Sequence, residues 1–268
     1  MEKPIFMLSN DDGVYADGIR ILYDNIQDIC TPIIYAPLHE KSASSHSITT
    51  RSPLRTKTIS PSIFAVDGSP ADASMVGLYM LDKEGKRPDW VISGINRGSN
   101  LGSDTIYSGT VAAAVEASLY NFKAVAISLN GYHGKLHWET CIHVFRKFMT
   151  AILDNKGSVN PVLASLGDNG RFVININVPN VEISDLKGIR MASIGVKRYT
   201  NAISESKDPR GYPIVWIGGE EYSYDDIPNS DQYLVEQNYV AISVIKPSFN
   251  DESSNSKMED LLKELQLI

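Results

Sequence analysis

Ile5-Phe6-Met7-Leu8-Ser9 is an apolar run that stops at Asn10-Asp11-Asp12-Gly13. A run this short suits a strand buried on both faces, the kind found in parallel sheets covered by helices. In open α/β sheets the C-terminal edges of such strands gather the ligands. Asp11 and Asp12 stand side by side at that edge and repel each other unless a cation lies between them. Gly13 lets the chain turn sharply and come close to whatever is bound. Taken alone, Asn-Asp-Asp-Gly is more often an ordinary solvated turn between strand and helix. The rest of the chain decides between the two.

Strand and helix signals alternate after that first run. Ile19, Leu22, Tyr23 and Ile26 recur at helical spacing, which predicts a helix from Gly18 to about Asp28. Ile33–Ala36 reads as a second buried strand, stopped by Pro37, and a loop rich in Ser, His and Thr follows from Ser42 to Thr50. Leu54–Ile59 and Ile63–Val66 suggest a small hairpin, and Pro70 opens a helix with Asp72 in its first turn. Trp90–Ser93, Ala124–Ser128 and Phe172–Val178 read as further buried strands. Helices from Val111 to about Tyr120 and from Trp138 to Ile152 separate them. The pattern predicts a doubly wound, mostly parallel α/β sheet, Rossmann-like in architecture, formed by a single domain over residues 1–268.

The alternation breaks after residue 180. Residues 191–204 and 212–217 suggest a hairpin closing through Asp208-Pro209-Arg210-Gly211, which has turn chemistry. An arm over about 185–235 is expected to protrude from the core. Tyr239–Ile245 returns as a strand, Asn250–Lys257 reads as a linker-like patch, and Leu261, Leu262 and Leu265 mark a short last helix.

A net charge of −7 argues against nucleic-acid polymers and acidic membrane surfaces as partners, but not against a small anion if a cation inverts the local field. Cys30 and Cys141 have no metal-like spacing and read as buried free thiols. There is no signal-peptide pattern and no run of 18 apolar residues, so a cytoplasmic location is expected.

Further polar loops should open on the same sheet edge as Asp11: residues 36–47 with Ser42, 93–102 with Asn96 and Asn100, and 107–110. Carboxylates, a hydroxyl and an amide oxygen are hard ligands suited to Mg²⁺ or Mn²⁺. Ser108-Gly109-Thr110 just before a helix offers hydroxyls and backbone N–H groups at the positive end of a helix dipole, a phosphate-binding arrangement. As an isolated signal it is more often a plain N-cap. The combination of loops is the informative feature.

These stretches resemble the SurE (survival protein E) family of nucleotidases. The resemblance rests on Asn10–Gly13, Ala36-Pro37 with Ser42, Gly68-Ser69-Pro70-Ala71-Asp72, Ser93–Gly98 and Ser108–Val111. Asn175–Pro179 and Asp208–Gly211 extend it over nearly the whole chain. It implies a metal-dependent phosphomonoesterase acting on nucleoside 5′- and 3′-monophosphates, with one divalent ion per subunit. By resemblance the metal ligands fall on Asp11, Asp12, Ser42 and Asn96, with the two aspartates also catalytic. The phosphate contacts fall on Asn10, Asn100, Ser108, Gly109 and Thr110. The resemblance also implies a homodimer or homotetramer with the hairpin arm exchanged between subunits. Ser69, Ser99 and Asn238 depart from the family's usual Thr, Pro and Gly.

Competing signals are weaker. His133, His137 and Cys141 would align on a helix, but Gly134 interrupts it and an apolar face already claims Cys141. Ser45-His46 lacks a nucleophile elbow, although His46 could neighbour the site. A phospho-accepting signalling module would be half this length and would need a late lysine that is absent here. A hydrolase of polyphosphate or phosphosugars would share the chemistry and differ only in its variable loops.

Overall fold

A computed structural model describes residues 3–167, 170–199, 203–217, 222–248 and 250–265. In chain order it begins β1 (Ile5–Ser9), α1 (Asp17–Asn25), β2 (Thr31–Pro37), β3 (Thr56–Ser60), β4 (Ile63–Val66) and α2 (Pro70–Lys83). Next come β5 (Trp90–Arg97), α3 (Asp104–Tyr107), α4 (Gly109–Leu119), β6 (Ala124–Asn130), α5 (Trp138–Asp154) and α6 (Lys156–Ser165). The second half holds β7 (Val173–Pro179), β8 (Gly188–Met191), β9 (Lys197–Tyr199), β10 (Ile203–Lys207), β11 (Pro213–Ile217) and β12 (Tyr222–Tyr224). It closes with α7 (Asp231–Glu236), β13 (Tyr239–Ile245) and α8 (Glu252–Glu264).

One sheet runs β3-β4-β2-β1-β5-β6-β7-β13-β8. From β4 to β7 neighbouring strands are parallel, and β13 enters antiparallel to β7. From β1 the chain moves first toward β2 and later, on the other side, toward β5. That reversal puts the end of β1 at the switch point where α/β sheets open a crevice.

Helices cover both faces. α1 and α5 bury Ile19, Leu22, Cys141, Phe145 and Met149 against one face, together with Phe6, Leu8 and Ile92. α2 and α4 pack Leu78, Leu81, Val111 and Ala114 on the other, against Met7, Tyr35 and Val91. Both faces of β1 are therefore buried, which is why its residues read as an unbroken apolar run. α2 begins where it does because Ser69 and Asp72 form a capping box: Asp72 N–H donates to Ser69 Oγ (3.0 Å) and Ser69 N–H to Asp72 Oδ2 (2.9 Å).

The second half differs from the sequence expectation in detail. The hairpin is real, but its strands are β10 and β11, with Ile203 opposite Ile217 and Lys207 opposite Pro213. Residues 188–191, at the start of the expected arm, instead form β8 and pair in parallel with β13 at the sheet edge. All four residues of β8 are exposed, so no burial pattern separates it from an arm. β9 pairs with β12 as the root of the arm. Most of the linker-like patch is helical: Asp251 caps α8 by accepting from Ser254 N–H at 3.1 Å.

Candidate active site

The loops after β1, β2 and β5 and the start of α4 meet in a cleft of about 600 Å³ lined by Asp11, Ser42, Asn96, Asn100 and Ser108 among others. A second cleft of about 660 Å³ holds Asp12, and Ser42, Arg97 and Tyr132 line both. Asp11 and Asp12 thus look into adjoining spaces across a shared wall.

The Asn10–Gly13 turn is locked locally. Asn10 donates its amide to the Gly13 carbonyl (2.9 Å) and accepts from Gly13 N–H (3.2 Å). It is fully buried and shapes the turn.

Asp11 sits against the first turn of α4. Thr110 Oγ1 donates to Asp11 Oδ1, and the Gly109 and Thr110 backbone N–H groups add hydrogen bonds to the same carboxylate. A Cβ on Gly109 would lie 2.7 Å from Asp11 Cβ, so only glycine admits this approach. The helix N-terminus therefore already holds an anion, and that anion is Asp11. Gly109 and Thr110, expected as phosphate contacts, here bond to the Asp11 carboxylate, and Thr110 is fully buried. Ser108 is different, because it lines the cleft. Its hydroxyl accepts from Val111 N–H at 3.0 Å and keeps its own proton to donate.

Burial raises the Asp11 carboxyl above its ordinary value despite these hydrogen bonds. Asp12 is pushed up to about 6, first by burial and then by the charge of Asp11, while the Arg97 N–H (3.1 Å) pulls it down. Two adjacent carboxylates held under mutual repulsion are a place for a cation. Asn96 fits the same set, since its Nδ2 is spent on the Gly98 carbonyl (2.7 Å) and the amide oxygen remains as an acceptor. A register shift in β5 between Ser93 and Asn96 re-aims that end of the strand. Ser42 is exposed, and its hydroxyl donates to Glu40 Oε1 at 2.8 Å. The donors are all hard oxygens, which suit a hard divalent cation, and among the described residues no group of three or more His, Cys, Asp or Glu is placed to hold a metal ion.

The family profile described as "Survival protein SurE" matches residues 6–201. The chain belongs to the SurE family. It is 34% identical to the 5′-nucleotidase SurE of Vibrio cholerae serotype O1 over 258 residues, covering 96% of this chain and 97% of the relative. It is 35% identical to the 5′-nucleotidase SurE of Vibrio campbellii over 263 residues, covering 98% and 96%. Among solved structures, the SurE protein from Aquifex aeolicus superposes with a TM-score of 0.80 at 30% identity, covering 96% of this chain and 99% of that one.

The departures from the SurE pattern are accommodated. Ser69 caps α2 as described, and Asn238 takes a φ of +64°, a left-handed conformation that asparagine tolerates better than most residues.

Several contacts that hold the site together could not be read from the sequence. Asn177 Oδ1 accepts from Asn100 N–H (2.8 Å), while the amides of Asn175 and Asn177 both donate to the Asn100 carbonyl (3.0 Å each). This clasp fixes the loop after β5 from β7, two strands away, and explains polar residues inside a fully buried strand. The Ser42 loop is tied down by Lys41 N–H to the Asp11 carbonyl (2.7 Å), by Thr49 on Asp72, and by His46 Nε2 against Glu116 Oε2 (2.6 Å). His46 is thus a latch on the loop. Ser45 Oγ donates to the Ile106 carbonyl, so no serine–histidine pair forms. α5 begins at Trp138, which leaves His133 off the helix, and burial pushes the Cys141 thiol up.

Proposed function

We propose that this chain hydrolyses nucleoside 5′- and 3′-monophosphates to nucleoside and phosphate, using one divalent cation per subunit, Mg²⁺ or Mn²⁺. One observation carries the reading: Asp11, Asn96 and Ser108 converge on a single cleft at the switch point of the sheet. The near-full-length similarity to proteins named 5′-nucleotidase supports the substrate class.

Asp11, Asp12, Ser42 and Asn96 would hold the cation, which when bound supplies Lewis-acid polarisation and offsets the carboxylate charge beside an anionic substrate. The chain's own groups do the rest. Thr110 and the first N–H groups of α4 fix Asp11. Asp12 Oδ2 accepts from Arg97 N–H, and no donor among the described residues reaches Oδ1. Asp12 lines the second cleft, where Oδ1 is placed to accept a proton from an attacking water. Ser108 donates to a phosphoryl oxygen as charge develops there, and Asn100 lines the same wall.

Assembly belongs to the same reading. The root of the arm docks in its own chain: Lys197 Nζ meets Asp104 Oδ2 at 2.6 Å, and Tyr199 OH donates to Asp104 Oδ1 at 2.7 Å. The tip, β10 and β11, is exposed along its whole length. A two-stranded hairpin carrying Ile203, Val215, Trp216 and Ile217 in water needs a surface to cover it. A second copy supplies it, giving a homodimer or homotetramer with the tip exchanged across the interface. Among the described residues no helix is long and apolar enough to cross a membrane. The reading places the enzyme in the cytoplasm, where the buried thiols of Cys30 and Cys141 stay free.

Phosphate release from purified protein with Mn²⁺ or Mg²⁺ tests the reading. Nucleoside monophosphates should turn over fastest in a panel that includes polyphosphate and phosphosugars. Faster release from polyphosphate would overturn the substrate class.

A further inference from the structure

A third cleft, of about 610 Å³, opens beside the Ser42 loop. Lys41 and Ser44 line it, whereas Ser42 and Ala43 between them line the cleft that holds Asp11. The loop is therefore a wall with a different space on each side, and no residue of the third cleft lines either of the other two. Its remaining walls are the segment leading into β3, with Ser52 and Arg55, and the turn from β4 into α2, with Asp67. These walls are tied to one another. Ser69 Oγ donates to the Ser47 carbonyl at 2.6 Å, Thr49 Oγ1 to Asp72 Oδ2 at 2.7 Å, and Asp67 N–H to the Arg55 carbonyl at 2.8 Å.

In a chain of net charge −7 this cleft is an exception. Lys41 and Arg55 are exposed, and neither forms an ion pair or a side-chain hydrogen bond with a described residue. Asp67 is the one carboxylate in the lining, which leaves two cations against one anion. Ser44 Oγ is buried with no hydrogen-bond partner among the described residues, a costly state for a hydroxyl unless a ligand meets it. The Ser47 and Ser52 hydroxyls are likewise unspent among the described residues. We propose that this cleft binds a tetrahedral oxyanion, a phosphate group either free or carried on a small ester, at a site separate from the aspartates. Arginine offers such an anion a fork of N–H donors, lysine a point charge, and the serines further hydroxyl donors. Because the walls are already tied together, binding orders little that is not ordered beforehand. The volume is in the range of small-molecule sites, so the organic part of an ester has room. An anion held by Lys41 and Ser44 braces Ser42 from behind.

Binding of inorganic phosphate to the full chain in EDTA, measured by calorimetry at constant ionic strength, tests this without turnover. With no metal present, the adjacent carboxylates of Asp11 and Asp12 repel an anion, so the third cleft is the one read. Arg55→Ala and Lys41→Ala should each weaken binding about tenfold, the scale of one hydrogen bond to a charged group. Asp67→Asn should tighten it, and Lys147→Ala, on α5 and outside the cleft, should bind like the parent. Ribose 5-phosphate in the same titration separates the two sources. Tighter binding than phosphate assigns the site to an ester, and equal or weaker binding assigns it to the free anion. Amide hydrogen exchange reports the placement. Phosphate should slow exchange at Lys41 and Ser45, whose N–H groups donate to the Asp11 and Tyr107 carbonyls, in the parent and not in Arg55→Ala. No binding by the parent, or an affinity unchanged in both alanine variants, overturns the site. Slowed exchange that persists in Arg55→Ala also overturns it.

Discussion

Thr110 shows what a single hydroxyl does at this site. It is spent on Asp11, so removing it should act on the carboxylate and the cation before it acts on phosphate. Thr110→Val keeps the volume and deletes the donor, at a cost of about 1.5–3 kcal/mol for a hydrogen bond to a charged group. Metal affinity should drop about tenfold or more in a titration with Mn²⁺, and an unchanged affinity with a raised KM would restore the phosphate role. Asp12 gives the pH dependence. Its pKa is about 6 in the folded chain and 3.8 without the fold's influence. The raised value means that the native state binds this proton more tightly, so its contribution to stability is full below about pH 4 and is lost as pH rises through about 6. Without metal, Asp12→Asn should therefore melt above the parent at pH 7, with the difference shrinking toward pH 4. A difference that does not vary with pH over that window would contradict the account. The adjacent carboxylates were legible in the sequence because two like charges at a strand end are unusual. The owner of the helix N-terminus was not legible, because a Ser-Gly-Thr cap looks the same whether it faces a ligand or a neighbouring side chain.

At the scale of elements, the parallel core followed from short apolar runs alternating with amphipathic helices, and the strands from β4 through β2, β1, β5 and β6 to β7 do run parallel. Strand direction is a different matter. β13 reads as buried in sequence but runs antiparallel to β7, and nothing in its side-chain pattern encodes that choice. β8 was hidden because an exposed edge strand and an arm strand share one composition. The asparagines of β7 were visible as part of a motif, yet their partner lies 75 and 77 residues away. Asn177→Ala leaves the Asn100 N–H buried without its acceptor, while Asn175 still donates to the Asn100 carbonyl. The expected loss is about 1–3 kcal/mol per orphaned group, read by urea denaturation. The loop after β5 should also exchange its amide hydrogens faster than in the parent. Protection equal to the parent's would show that the clasp does not hold the loop.

The whole molecule carries a net charge of −7, an arm rooted on its own chain, and a tip whose Trp216 and Ile217 are 65% and 88% exposed. Replacing residues 203–217 by a short Gly-Ser turn should give monomers, because the docked root is retained and only the tip is lost. Light scattering on the parent checks the premise: a clean particle of 29.5 kDa at micromolar concentration would contradict assembly through the tip. The central claim is that the two adjacent aspartates hold a divalent cation for phosphoryl transfer. Its most direct test is phosphate release from AMP by the parent and by Asp11→Asn, with added Mn²⁺ and with EDTA. The account predicts turnover that needs the metal, stops with EDTA and falls by orders of magnitude in the variant. Turnover indifferent to both EDTA and Asp11→Asn would contradict it.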